Sequence, residues 1–505
     1  MNSLLSPLDT WNKAWTAQVL AASYFTEGLQ SYGDEFVRPL IAASQMFAQV
    51  EAERLLWRTP QETCDSYLKL LNLNLDLMTR YTQGTLATLD QFNRQRLDDF
   101  FTACLAPLFD PGSEKLENFF TEQKELLKRV VEEYPKAIKA IEPEYGFHFE
   151  RHPDSLIAET DRFILRKVHP TDDKIKTDDG MKPVLIIPPF VLGANILSFL
   201  PAEGKSYAHA FANRSIPTYI RIMKDIQETP AVQTMSLEED ALDTRHFCEI
   251  LSDRHQKPVT INGYCQGGLS AVCNILSGAL DGLVDALITC VAPMDGTRSE
   301  GLGKFLNDLP HDFNDLAYGT KTLNNGNRVA DGQLMGWIYK LKSIENSGPM
   351  IAFFRDIMML SGKGDKPVTI NKTVAAINYW LQNERSDLPM AVTKMSFASY
   401  STPVTKDGTL PIEMFDKPLN FNGIAEKNIS WLLCYGERDD LVEKEVALAP
   451  LDYIDVEVTP FPKGHVAIAT SWSHPKSDCA LDTVFGKNYR GPVRFQLDLD
   501  ASARK

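Results

Sequence analysis

Of the 505 residues only eight are cysteines and nine are histidines. Cys64, Cys104, Cys248, Cys265, Cys273, Cys290, Cys434 and Cys479 fall at no paired spacing, with no C-x-x-C and no Cys/His cluster of zinc type. A disulfide framework and a structural zinc site are therefore not expected, and the cysteines read as free thiols of a reducing compartment. The Met1 end carries no signal-peptide pattern, which makes the expected location cytoplasmic. Long apolar runs are also missing. The longest, Val184 to Pro201, is broken by Pro188, Pro189, Gly193 and Asn195, so it reads as a strand plus loop and no transmembrane segment is expected. Positive charge is in short supply: 52 Lys and Arg stand against 67 Asp and Glu, a formal net charge of −15. That balance argues against nucleic acid or an anionic membrane as the main partner, while leaving room for a local basic pocket.

What is present is the composition of an ordinary globular protein, 44% hydrophobic and 24% charged, long enough for one large core or two smaller ones. The chain is organised around Ile261-Asn262-Gly263-Tyr264-Cys265-Gln266-Gly267-Gly268-Leu269. The β-branched run before it reads as a strand and the residues after it as a helix start. A strand, a tight turn tipped by a reactive residue and then a helix make a nucleophile elbow, G-x-S-x-G with Cys in place of Ser. The glycines suit a turn where strand and helix crowd together. The helix N-terminus favours a thiolate at the tip, and the Gln266 backbone N–H is the expected first oxyanion donor.

Residues 1 to about 142 read as helical. Thr59-Pro60-Gln61-Glu62 is a capping box, and Leu116, Phe119, Phe120, Leu127, Val130, Val131 and Tyr134 recur at helical spacing up to Pro135, where the helix is expected to end or kink. This region has no catalytic motif. It reads as helices packed on the rest of the chain or on a second subunit, or as an amphipathic surface for a partner. From about 160 the period changes. Strands are expected at 163–168, 183–189, 217–222, 257–261, 287–292, 429–436 and 456–461, alternating with helices as in a parallel sheet. The loop from Phe190 to Asn195 follows a buried strand, so Phe190 and Val191 stand where a second oxyanion donor is expected. Residues about 296–425 break the alternation and read as a helical cap insertion. The expected class is therefore an α/β-hydrolase fold with a mostly parallel sheet. Its expected parts are a helical N-terminal region, 1–150, and a catalytic domain, 151–505.

Cys265, Asp439 and His465 occur in the chain order nucleophile, acid, histidine, each just past a strand, which is the order of that fold. His465 is the expected base and Asp439 the acid that orients it; Asp440 and His474 are the rivals. A free thiol has a pKa of about 8.5, so the histidine and the helix end must favour the thiolate.

These landmarks resemble those of polyhydroxyalkanoate (PHA) synthases over roughly 180–470. The likeness rests on Pro188-Pro189, the box Gly263-Tyr264-Cys265-Gln266-Gly267-Gly268, Asp331-Gly332 through Trp337, Tyr379-Trp380 with Asn383 and Leu388-Pro389, Arg438-Asp439-Asp440-Leu441-Val442, and Gly464-His465. The resemblance implies an acyltransferase that polymerises 3-hydroxyacyl-CoA through a Cys265 thioester and releases CoA. It implies His465 as base, Asp439 as its acid and Trp380 near the substrate. Acyl-CoA is then substrate, and no metal or other cofactor is expected. Association with a polymer granule and a homodimeric assembly are further expectations. The chain departs from the family's pattern at Phe190-Val191-Leu192-Gly193-Ala194-Asn195, at Ile222-Met223-Lys224-Asp225, at Leu269 and at Val466-Ala467-Ile468, all on the substrate and oxyanion side. Two alternatives stay open. One is a cysteine-dependent thioesterase or esterase on the same fold, and the other is a non-catalytic granule- or partner-binding scaffold.

Overall fold

Aliphatic and β-branched runs from Leu156 to Phe461 supply eight strands of one sheet. The computed structural model describes residues 6–109, 113–310, 316–361 and 370–503. Residues 1–5, 110–112 and 504–505 of the expected regions, and 311–315 and 362–369 of the expected cap, lie outside the described residues. The strands are β1 (Leu156–Glu159), β2 (Phe163–Lys167), β3 (Val184–Ile187), β4 (Thr218–Met223), β5 (Val259–Tyr264), β6 (Val284–Cys290), β7 (Ser430–Gly436) and β8 (Glu457–Phe461). They lie in the order β1-β2-β4-β3-β5-β6-β7-β8. From β4 to β8 every pairing is parallel, while β1 and β2 pair antiparallel at one end. This is the α/β-hydrolase fold. Every residue of β3 and β5 is buried, as expected of parallel strands covered on both faces. Sequence pattern located these strands to within a few residues but missed β1, and it did not anticipate the antiparallel setting of β2.

The chain forms two compact units. One comprises residues 1–142 and 336–379, the other 143–335 and 380–505. The expected insertion at about 296–425 is thus divided between them.

The first unit is helical. Its helices are α1 (Ser6–Arg54), α2 (Pro60–Phe109), α3 (Lys115–Lys128) and α4 (Tyr134–Ala140). The capping box before α2 is formed: the Thr59 N–H donates to Glu62 Oε2 at 2.9 Å, and the Glu62 N–H donates to Thr59 Oγ1 at 3.3 Å. The regular α-helix is interrupted just ahead of Pro135, within the stretch where it was expected to end or kink. A π-helical turn over Arg129–Glu133 precedes it, and Pro135 falls in the first turn of α4, where a missing N–H costs little. The aromatics of 349–360 complete this unit's core. Phe353 meets Phe25 at 5.5 Å and Phe354 meets Phe92 at 5.0 Å between ring centroids, and the Tyr32 hydroxyl donates to Asp356 at 2.7 Å. Most of the exposed large apolar side chains, Trp15, Leu56, Trp57, Leu71 and Met78 among them, lie in α1, α2 and their connector. No helix among the described residues is long and apolar enough to cross a membrane.

In the second unit the helices α5 (Leu237–His255) and α6 (Gln266–Leu276) flank the central strands. A Ser236–Glu239 capping box starts α5. A buried charge cluster ties both helices to the sheet. Arg221 on β4 pairs with Asp240 on α5 at 2.8 Å, and both are almost fully buried. Asp240 Oδ2 accepts from Ser270 Oγ at 2.7 Å and from Asn274 Nδ2 at 2.9 Å, both on α6. The Arg221 guanidinium also lies 4.1 Å from the centre of the Phe163 ring on β2. Removing one member strands a buried charge, so Asp240→Ala is expected to cost about 3–5 kcal/mol. Denaturant titration checks this. The double replacement Arg221→Met with Asp240→Leu should recover part of the loss, because it leaves no unpaired charge while Ser270 and Asn274 still lose their acceptor.

Candidate active site

The site begins where β5 runs out. Cys265 follows Tyr264 with φ 52° and ψ −126°, and α6 starts at the next residue. A non-glycine residue at positive φ stores strain of about 1–3 kcal/mol and persists only where its surroundings fix it. Two backbone bonds fix it here. The Cys265 N–H donates to the Cys290 carbonyl on β6, and the Gly268 N–H donates to the Cys265 carbonyl, each at 2.8 Å. The glycines are required by space. A Cβ on Gly267 would stand 2.4 Å from the Ile187 carbonyl oxygen and 2.5 Å from that of Pro188. One on Gly263 would stand 2.4 Å from Gly268 Cα. The end of β3 thus presses on the first turn of α6, and the loop starting at Phe190 leaves from beside the elbow.

Asp439 lies three residues past β7 and is buried. Its Oδ1 accepts from the Leu441 and Val442 N–H groups, each at 2.9 Å, and its Oδ2 meets His465 Nδ1 at 2.8 Å. His465 lies beyond β8. The two loops are joined directly, because the Glu437 N–H donates to the Phe461 carbonyl at 2.8 Å and the Arg438 N–H to that of Lys463 at 3.3 Å. On its other side His465 is tied to the elbow: the Tyr264 hydroxyl donates to the His465 carbonyl at 2.8 Å, and the two rings meet edge to face at 6.3 Å. His465 Nε2 is buried without a hydrogen-bond partner among the described residues. Burial alone disfavours the imidazolium. The Asp439 carboxylate, then charge on the Cys265 sulfur, outweigh it and hold the His465 pKa well above its usual value. The structure therefore brings Cys265, Asp439 and His465 together. The rival Asp440 is exposed, and His474 Nδ1 instead accepts from the Lys476 N–H at 3.1 Å. Three other buried thiols are held protonated: burial pushes Cys248 and Cys273 up to about 12 and Cys434 well above its usual range.

Gln266 is the first residue of α6, so its backbone N–H has no partner within the helix. Its side-chain Nε2 donates to Ser396 Oγ at 2.5 Å. Phe190 and Val191 are buried in the loop after β3, where the Val191 carbonyl accepts from the Ser386 N–H at 3.2 Å. Trp380 is buried, and its indole N–H donates to the Leu192 carbonyl at 3.1 Å. Trp380 thus meets the loop that carries Phe190 and Val191, while the Gln266 side chain turns to Ser396. Beside that loop lies a cavity of about 600 Å³ whose walls include Pro188, Phe190, Asn195, Arg221 and Glu384 but none of Cys265, Asp439 and His465. Sequence reasoning passed over Tyr264, which sits inside the glycine box, and Asn195 and Glu384, which lie inside stretches already singled out. Among the described residues, the group close enough to hold a metal ion is His152, Asp154 and His169, whose ligand atoms lie within 4.8 Å of one another.

No family model matches this chain, and no curated protein matches it. Solved structures do. A carboxylesterase from Nitrososphaera gargenis shows 12% identity over 62% of this chain and 92% of its own, with TM-score 0.35. A thermophilic esterase from Thermogutta terrifontis shows 12% identity over 69% and 96%, with TM-score 0.33. A 2-hydroxy-6-oxo-6-phenylhexa-2,4-dienoate hydrolase from Rhodococcus sp. strain RHA1 shows 9% identity over 63% and 95%, with TM-score 0.32. These likenesses are remote, and the fold is read from strand order and the elbow.

Two outcomes follow from the geometry. Because Asp439 is the leading charge that raises His465, Asp439→Asn should move the imidazole titration to lower pH. Since the folded pKa lies above the unfolded one, the stability contributed by imidazolium is fully present below about pH 6.5 and lost as pH rises through the raised value. Histidine-labelled NMR reads the midpoint; an unmoved midpoint would remove Asp439 from its role. Separately, Cys265→Gly should melt above Cys265→Ala by the equivalent of about 1 kcal/mol, because glycine releases the positive-φ strain. Equal melting temperatures would mean the elbow is unstrained.

Proposed function

We propose that the chain is a cysteine-dependent acyl-transfer enzyme that cleaves a thioester or ester through a covalent intermediate on Cys265. One observation carries the reading: a cysteine at a positive-φ strand-to-helix turn, beside a buried histidine whose far nitrogen is bonded to a buried carboxylate.

The chemistry follows from those parts. The Asp439–Nδ1 bond leaves Nε2 as the nitrogen that faces the reaction, and a raised His465 pKa suits an imidazolium beside a thiolate. The Cys265 sulfur attacks the acyl carbonyl carbon, and the oxyanion is met by the Gln266 N–H and a donor from the loop after β3. Each such donor is typically worth about 10²–10³ in rate. The tetrahedral adduct collapses, the bond to the leaving thiol or alcohol breaks, and that group takes the proton from Nε2. Water then loses a proton to Nε2 as it attacks the Cys265 thioester, and the acid and the free thiol are released.

A second reading keeps the first half-reaction and changes the acceptor. If the hydroxyl of a hydroxyacyl group replaces water, the same cycle extends a polyester and releases CoA from 3-hydroxyacyl-CoA. The motif order shared with PHA synthases favours it; the departures at Phe190–Asn195 and after His465 favour water.

Release of CoA from a 3-hydroxyacyl-CoA, with the acyl product followed in parallel, tests both. Free hydroxyacid in step with CoA is the expected result, and polymer would establish the second reading. Cys265→Ala should reduce release by on the order of 10³-fold or more. Undiminished release in that variant would end both readings.

A further inference from the structure

The loop after β3 has to present its backbone donors at a fixed distance from Cys265, yet nothing in Phe190-Val191-Leu192-Gly193-Ala194-Asn195 makes it rigid by itself, and Gly193 is at φ 71°. Its order comes from a segment almost 200 residues later. Trp380 Nε1 donates to the Leu192 carbonyl at 3.1 Å, and the Ser386 N–H donates to the Val191 carbonyl at 3.2 Å. Between these two backbone ties stands Glu384. Asn195 Nδ2 donates to Glu384 Oε1 at 2.7 Å, and Glu384 Oε2 lies so close to Gly193 that a Cβ there would stand 2.8 Å from it. Asn195 Oδ1 in turn accepts from the Phe147 N–H at 3.0 Å. Glu384 also lines the 600 Å³ cavity, so its carboxyl is enclosed but not packed solid.

We propose that Glu384 is a positioning residue: its buried carboxyl clamps the loop 190–195 through Asn195 and Gly193 and so sets the loop's backbone donors for chemistry at Cys265. The role in catalysis rests on the acyl-transfer reading; the clamp itself does not. Glu384 touches neither the acyl group nor Cys265, and acts through the loop.

The clamp has a built-in readout. Burial, partly offset by Asn195, Tyr145 and Arg385, raises the Glu384 pKa to about 7. The other charged groups around it are Arg221, Lys224 and Asp225 from the end of β4, and Lys321 with Asp387, which form an ion pair at 2.8 Å. Burial favours the protonated carboxyl while the Asn195 bond favours the carboxylate, so the stability that Glu384 contributes is fully present below about pH 4.5 and is lost as pH rises through about 7, when a buried charge disturbs the clamped loop. Trp380, hydrogen-bonded to the clamped loop, reports the change.

The experiment is a pH titration of tryptophan fluorescence on the full chain, in wild type, Glu384→Gln, Trp380→Phe and Asn195→Asp. A transition centred near pH 7 is expected in wild type and should vanish in Glu384→Gln, which mimics the neutral carboxyl. It should lose its amplitude in Trp380→Phe. In Asn195→Asp it should move upward by about one unit or more, because a second carboxylate then faces Glu384. Absence of the transition in wild type, or its persistence unchanged in Glu384→Gln, overturns the clamp. If Glu384→Gln fails to fold, the Asn195→Asp shift decides. Turnover adds a separate arm: Glu384→Ala should lower kcat roughly 10²-fold with little change in KM, and Glu384→Gln should restore most of it. An unchanged kcat in Glu384→Ala overturns the positioning role. A wild type that shows the fluorescence transition but turns over no thioester would instead defeat the acyl-transfer reading and leave the clamp standing.

Discussion

The constraint that shapes the elbow is a close approach between backbones. Gly267 takes the carbonyl oxygens of Ile187 and Pro188 into the space where any other residue has its Cβ, and Gly263 and Gly268 do the same to each other. This crowding forces β3, β5 and α6 together at one point and leaves Cys265 with no relaxed backbone region to occupy. Its consequences spread outward. The β3 end fixes where the loop after it starts. The β6 end is held in turn, because Gly268 faces Ala292 and the Val291 N–H donates to the Cys434 carbonyl on β7 at 2.9 Å. Strand β7 then delivers Asp439, and β8 delivers His465. A single small-residue contact therefore sets the registration of Cys265, Asp439 and His465.

The electrostatics complement that framework. A buried carboxylate is costly unless its lone pairs are met, and Asp439 has three donors: two backbone N–H groups and the imidazole. With its position fixed by backbone, it can fix the histidine. The thiols elsewhere in the sheet and helices show what burial does when no such partner exists, since Cys248 and Cys273 are pushed up to about 12. What distinguishes Cys265 is a histidine next to it and a helix N-terminus behind it.

How much of this could be read from sequence follows from how local each signal is. The elbow was legible because its chemistry requires given residue types at adjacent positions, and a glycine box between a β-branched run and an apolar helix start meets that need within nine residues. Asp439 and His465 were legible from chain order, since each acid and histidine of this fold must follow a strand end. Burial then separated Asp439 from Asp440 and His465 from His474, which sequence left as rivals. The N-terminal region read as helical, but nothing in it told what its helices pack against; the cover of α1 and α2 includes Phe353 and Phe354, more than 200 residues away and expected to serve a cap. The antiparallel β2 was opaque for a similar reason, because a five-residue apolar run says nothing about the direction of its neighbour.

The least legible part is also the one that completes the site. A nucleophile elbow supplies one oxyanion donor by construction, because the residue after the nucleophile is always the first of a helix. The second donor belongs to a different loop, whose geometry is not dictated by the elbow and has to be imposed by other means. In this chain the loop Phe190–Asn195 is the one that Trp380, Glu384 and Ser386 hold. Ties across almost 190 residues order a loop whose own sequence does not: the constraint sits in its partner. The unit then carries two groups with raised pKa values, one beside Cys265 and one against the loop after β3. His465 is raised because charges favour its protonated form, and Glu384 because burial disfavours its ionised form. As pH rises, the first gives up a positive charge and the second acquires a negative one.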